Sequence, residues 1–353
     1  MNRRLFLKSA TIAAAGCALV NRSLPETPQS STKSLFDGRT LNGWIQAQNS
    51  TTSFSGNDIA DLTGIAKKLS DKSNALSIFL NDQFDDDAKA SLAAAISGTG
   101  DAKQGRSVLA KNLNRIISAG SLVESSRFQA VVLRPETQQL LRQDLHGALL
   151  IHLNRMLLED AFPSELLRNS LNGWTVKDGA LASTGAGRGV LYTADDFSHF
   201  RLMFTMRHVS GNPDHQACVL IFCTRPEPDN VPLDALGGIQ FQVPKGGHWD
   251  YRPGHNNAGG TEFTLITKPD YDAHQWSRIE ILADASTGTA RMAVAQPVGS
   301  RAAEILAFKD ASAGKVGPIA LQMHNAGLFD EYKDIVIDTN PKDELITIRS
   351  ATT

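Results

Sequence analysis

From Leu171 to Ile337 the apolar residues recur with a period of two, and no other property of the sequence restricts the fold as much. Leu202, Phe204 and Met206 alternate with Met203, Thr205 and Arg207, Ile239, Phe241 and Val243 alternate with Gln240 and Gln242, and Ile279 and Ile281 flank Glu280. Met292 and Val294 continue the pattern, and residues 219–222 form an unbroken apolar run. Residues two apart on a strand share a face, so each apolar set lines one side of a sheet. Turns rich in Gly, Pro and Asp separate these runs without helical text between them, which predicts a mainly β protein, an antiparallel β-sandwich. Leu35 to Ile45 adds a turn at Asp37-Gly38 and a short strand ending on Trp44. The sandwich is therefore expected to span residues 35–48 and 171–340.

Between those two pieces the period changes to three or four. Helices are expected over Ala75–Ile96, Ser107–Ile117 and Pro135–Asp160, the last with Leu141, Leu145, Leu149, Leu153 and Leu157 in one stripe. Pro135 suits a first helical turn and Pro163 blocks continuation. Residues 57–168 thus read as a small α-helical domain, inserted or appended, with a Gly-rich flexible joint over 97–105. His146 and His152 stand six residues apart, which does not make them neighbours on one helix face, so they are not a metal pair.

The first twenty residues carry Arg3-Arg4-Leu5-Phe6-Leu7-Lys8 and then an alanine-rich apolar run. This pattern is similar to a twin-arginine export signal, and the run is shorter than the roughly 20 apolar residues of a membrane span. Residues 21–34 read as a solvated linker. Ala15-Gly16-Cys17 resembles a lipoprotein processing box, with Ala14 where leucine is more usual, so Cys17 is a candidate lipid tether. The expected location is periplasmic or on the outer side of the membrane. Losing the three cations Arg3, Arg4 and Lys8 takes the formal net charge from -2 to -5, which argues against a nucleic-acid partner. Cys218 and Cys223, five apart, are expected on opposite strand faces and not in a disulfide.

Candidate functional residues gather in two places. Residues 316–337 read as two late strands joined by a polar turn, with Ile319, Leu321 and Met323 buried and Gln322 and His324 on the other face. Ile335 and Ile337 are the expected buried pair of the closing strand. Gln240 and Gln242 likewise share a face, so if both strands lie in one sheet they build a polar, uncharged surface for hydroxyl groups. A plain solvated face is the competing structural reading. The loop KGGHWDYRPGHNNAGG, residues 245–260, sets His248, Trp249, Asp250, Tyr251, Arg252, His255, Asn256 and Asn257 among glycines. Aromatic rings suit the C–H face of a sugar, and Asp, Arg and Asn suit its hydroxyls, although Trp249 serves equally as the anchor of a rigid loop. His215, His248, Asp250, His255 and His324 are metal-ligand types, yet none shows zinc-motif spacing, and a divalent metal has only that compositional support. Serine-hydrolase, zincin and phosphate-loop patterns are absent from the sequence.

FDGRTLNGW near the start, W-x-V-x-D-G-x-L at 174–181, DDFSHFRLMF, the strand at 238–243, and IALQMH with YKDI near the end together resemble the 3-keto-disaccharide hydrolase family. The resemblance covers 35–45 and 171–337 and implies a concanavalin-like jelly roll that acts on sugars. Two positions depart from the family, which usually has glutamate where Gln240 stands and commonly arginine where Lys333 stands. The implied reaction on a 3-keto-glycoside is C2 proton abstraction, elimination of the C1 substituent and hydration. It would place His324 as base, Asp250 or His248 as acid or metal ligand, and Gln240, Gln242, Gln322, Arg252 and Asn325 on substrate, with Trp249 and Tyr251 stacked on the ring. Two other readings compete: a non-catalytic carbohydrate-binding module, and a surface-anchored interaction protein whose helical block carries the function.

Overall fold

The structure is a computed structural model that describes residues 32–47, 55–59, 61–73, 75–119, 173–185, 188–211, 217–227, 235–325 and 327–348. The expected export signal, Cys17, most of the expected linker and the helix expected at 135–160 with His146 and His152 lie outside the described residues.

The strands in chain order are β1 (Thr32–Ser34), β2 (Trp44–Ala47), β3 (Trp174–Lys177), β4 (Ala180–Ser183), β5 (Gly189–Thr193), β6 (His199–Ser210), β7 (Cys218–Ile221) and β8 (Ile239–Gln242), followed by β9 (His248–Asp250), β10 (Phe263–Leu265), β11 (Ser277–Asp284), β12 (Thr289–Ala295), β13 (Ala303–Lys309), β14 (Ala320–Met323) and β15 (Phe329–Asp338). Among the described residues they form two antiparallel sheets. The larger runs β10-β13-β12-β11-β6-β15-β4-β3, with β1 also on β15, and the smaller runs β2-β5-β14-β7-β8-β9. Their inner faces make one core in which Leu202, Phe204, Met206, Ile279 and Ile281 meet Leu191, Val219, Phe241 and Leu321. These are the residues that the period of two assigns to the buried side.

Three local departures have physical causes. The run at 219–222 is apolar on both faces because Leu220, on the outer face, is covered by Tyr192, Ala235 and Leu236. Phe222 takes a left-handed φ of 54°, which reverses the alternation and returns Cys223 to the same side as Leu220. The expected opposite facing of the two cysteines therefore fails, and both are free and buried. Thr32–Ser34, assigned to the linker by composition, instead pairs with Val336–Asp338. The two late strands lie in different sheets, so the segment after Met323 crosses from one layer to the other, and β15 is an interior strand between β6 and β4.

The helical text folds as α1 (Leu62–Leu69), α2 (Ala75–Gln83), α3 (Asp86–Ser97) and α4 (Ala102–Ser118). The single helix expected at 75–96 breaks at Asp85, whose carboxylate caps α3 by accepting from Ala88 N at 2.9 Å. The expected joint at 97–105 shrinks, since Gly105 sits inside α4 where a Cβ would come 2.7 Å from Leu62 Cδ2. These helices bury their own cluster, including Ile65, Leu69, Leu80, Phe84, Leu109 and Leu113.

Candidate functional site

Strand order sets the site. β8 and β14 flank β7, so Gln242, Cys218 and Gln322 fall in one cross-strand row on the outer face of the smaller sheet. Gln240 lies one pleat along, and its Nε2 donates to Gln322 Oε1 at 2.8 Å. β9 pairs Trp249 with Gln240, and alternation brings Trp249 and Tyr251 to the same side. The result is a pocket of about 440 Å³ lined by Cys218, Gln240, Gln242, Gly247, His248, Trp249, Tyr251, Asn256, Ala258 and His324.

Each wall is held. The Trp249 and Tyr251 rings lie 6.1 Å apart at 40°, and Trp249 Nε1 donates to Asn256 Oδ1 at 3.1 Å. Tyr251 OH stands 3.4 Å from His324 Nδ1, the long limit of a hydrogen bond. His248 stacks on Phe263 with centroids 4.2 Å apart, so one ring face is packed while its edge reaches the pocket. Gly247 leaves room for the Gln242 amide, because a Cβ there would sit 2.1 Å from Gln242 Oε1 and push it aside.

Several expected site residues stand elsewhere. Asp250 pairs with Ile239 and so has the opposite parity to Trp249; it does not line the pocket. Its carboxylate is 2% exposed and receives Arg252 N, Nε and Nη2 at 2.7 to 3.1 Å, with His255 Nδ1 at 3.2 Å. Arg252 also donates to Asp310 Oδ2 at 2.7 Å and Ser312 Oγ at 2.9 Å. Its guanidinium is raised above its ordinary pKa by the hydrogen bond to Asp250 first. Asp250 and Arg252 thus brace the loop. Gln322 is fully buried and acts through Gln240, and Asn325 is buried outside the pocket lining. The period of two missed Cys218 because its run looked wholly apolar, and missed Gly247 and Ala258 because they bear no polar group. Among the described residues no group of three or more His, Cys, Asp or Glu is arranged to hold a metal ion.

Residues 164–338 match the family described as 3-keto-alpha-glucoside-1,2-lyase-like domains. The sandwich is similar to that family over those residues. Solved structures similar to this chain include a candidate glycosyl hydrolase from Parabacteroides distasonis ATCC 8503, at 14% identity over 48% of this chain and 84% of that one, with a TM-score of 0.33. The carbohydrate-binding module CBM66 from Bacillus subtilis matches at 10% identity over 47% and 90%, TM-score 0.34. Winged bean acidic lectin, solved with methyl-alpha-D-galactose, matches at 10% over 47% and 89%, TM-score 0.32. No curated protein matches the chain. The sandwich presents an uncharged pocket of two aromatic rings, three amides and two imidazoles, because no Asp, Glu, Lys or Arg is among its lining residues.

Proposed function

We propose that the pocket binds a neutral glycoside and that, on a substrate oxidised at C3, the protein cleaves the glycosidic bond. The observation that carries this reading is the uncharged lining, in which Trp249 and Tyr251 supply ring faces, Gln240 and Gln242 supply amides, and His324 is the base nearest Tyr251. A ketone at C3 makes the C2 hydrogen acidic. His324 with Nδ1–H donating to the Tyr251 oxygen carries its lone pair on Nε2, which takes that proton. The electron pair delocalises to the C3 oxygen as an enolate, where amide donors stabilise it. It then returns to expel the C1 oxygen, which leaves as the alcohol after gaining a proton, and water adds across the resulting double bond. His248 is the candidate acid for the leaving oxygen. Asp250 is assigned to the loop instead, since Arg252 holds its carboxylate.

A binding-only role is favoured by one specific observation, the amide of Gln240 where the resemblance expects a carboxylate. Incubating the purified protein with a 3-keto-glucoside and its unoxidised parent separates the two. Release of the leaving group from the keto form alone supports the enzyme, whereas saturable binding of both forms without release supports the module. Export by the twin-arginine route and tethering through Cys17 remain part of this proposal, tested by fractionating cells that express the intact chain and a Cys17→Ala variant.

A further inference from the structure

Behind the pocket floor the larger sheet turns a row of polar side chains into the sandwich. Trp174 of β3 opposes Ser183 of β4, and Asp330 of β15 opposes His208 of β6. Ser183 joins the two pairs, because its Oγ accepts from Asp330 N at 2.7 Å and donates to Leu328 O at 2.8 Å. His208 Nδ1 lies 2.7 Å from Asp330 Oδ1. Tyr332, two residues along β15, shares the inward face with its ring 6.0 Å from that of Trp174. Burial first, then the charge of Asp330, pushes the Tyr332 phenol well above its ordinary pKa, and its oxygen lies against the Cys218 backbone amide. Cys218 is part of the pocket lining. The Tyr332 end of this polar row therefore lies beneath the pocket floor.

Among the described residues, Trp174 Nε1, His208 Nε2, Ser210 Oγ, Asp330 Oδ2 and the Tyr332 hydroxyl make no hydrogen bond of good geometry, the approach of the Tyr332 oxygen to the Cys218 amide included. Trp174, His208, Asp330 and Tyr332 are each at most 2% exposed. Folded proteins satisfy nearly all their buried polar atoms, and each exception calls for an explanation, a bound water or ion among them. Here the atoms complement one another. The indole and phenol donate, the second carboxylate oxygen of Asp330 accepts, and the imidazole and serine do either. They are walled by apolar groups, with the Phe204 ring 5.9 Å from that of Tyr332 and Leu181 and Met206 opposing Tyr332 across the sheet. A species with two to four polar partners in such a setting is an internal water molecule.

We propose that this row is an internal water site in which ordered water bridges Asp330 Oδ2 to the Tyr332 hydroxyl and the Trp174 indole. The bridge fixes the phenol beneath Cys218 and so stiffens the floor of the sugar pocket from inside. The site stands whether or not the pocket is catalytic.

The test is a crystal structure of the full chain at a resolution that shows ordered water, with melting curves of the wild type and of Tyr332→Phe and Trp174→Phe. The expected result is water density within hydrogen-bond reach of both Asp330 Oδ2 and the Tyr332 oxygen. Each variant should melt below the wild type, because it strands the groups that remain. Absence of such density in the wild type overturns the proposal, even if both variants fail to fold. A Tyr332→Phe variant that melts at or above the wild type also overturns it, because deleting a dry, unpaired hydroxyl is neutral or stabilising.

Discussion

His324 and Gly247 show how differently single residues enter the pocket. Replacing His324 by Ala removes the base and leaves the strand pairing of β14 untouched. Turnover of a 3-keto-glucoside should fall about 100-fold or more, with an unchanged melting curve, as checked by steady-state kinetics beside calorimetry. Gly247→Ala acts by shape. The added carbon meets Gln242 Oε1 at 2.1 Å, so the amide must swing away. Losing one hydrogen bond of this kind weakens ligand binding about five- to tenfold, measurable by titration calorimetry, with little loss of stability. The sequence made His324, Gln240, Gln242, Trp249 and Tyr251 legible because strand parity and composition coincide at those positions. It left Asp250 ambiguous, because an acid in an aromatic loop looks the same whether it meets a substrate or an arginine two residues away. Only the folded loop decides, by turning the Asp250 carboxylate to Arg252 N, Nε and Nη2.

At the scale of elements, the loop after β9 is a charged brace joined to the turn after β13. Asp310 accepts from Ser312 Oγ and N, and then from Arg252, which holds its carboxyl down at about 2. A carboxyl lowered in the folded state stabilises above its ordinary range, near pH 4, and that contribution disappears as the pH falls toward 2. Asp310→Asn should therefore lower the melting temperature at pH 7, with the gap from the wild type closing between about pH 4 and pH 2. A gap that persists at pH 2 would show that the brace is held by shape and not by charge. In the helical block, Asp85 both caps α3 and accepts from Asn112 Nδ2 at 3.1 Å on α4. Asp85→Ala should speed amide exchange in α3 and α4 while leaving exchange in the sandwich strands unchanged. The helical period announced this block but not its breaks, since a cap is a local hydrogen bond that periodicity does not record.

At the scale of the whole molecule, the helical text separates β2 from β3 by more than a hundred residues, yet the two ends meet. Gln46 Oε1 at the end of β2 accepts from Trp174 N at the start of β3 at 3.1 Å. The chain leaves the sandwich and returns to it at one place, which is the geometry of an insertion. Replacing residues 49–171 with a short Gly/Ser linker should leave a sandwich that melts cooperatively by near-UV circular dichroism and still binds the glycoside; a molten product would show that the helical block is part of the folding unit. The central claim concerns the C2 proton, and exchange into D2O reads it directly. With a 3-keto-glucoside followed by NMR, the wild type should incorporate deuterium at C2 and release the leaving group, and His324→Ala should do neither. Release without C2 exchange or any isotope effect at C2, or exchange undiminished in His324→Ala, would contradict proton abstraction by this pocket.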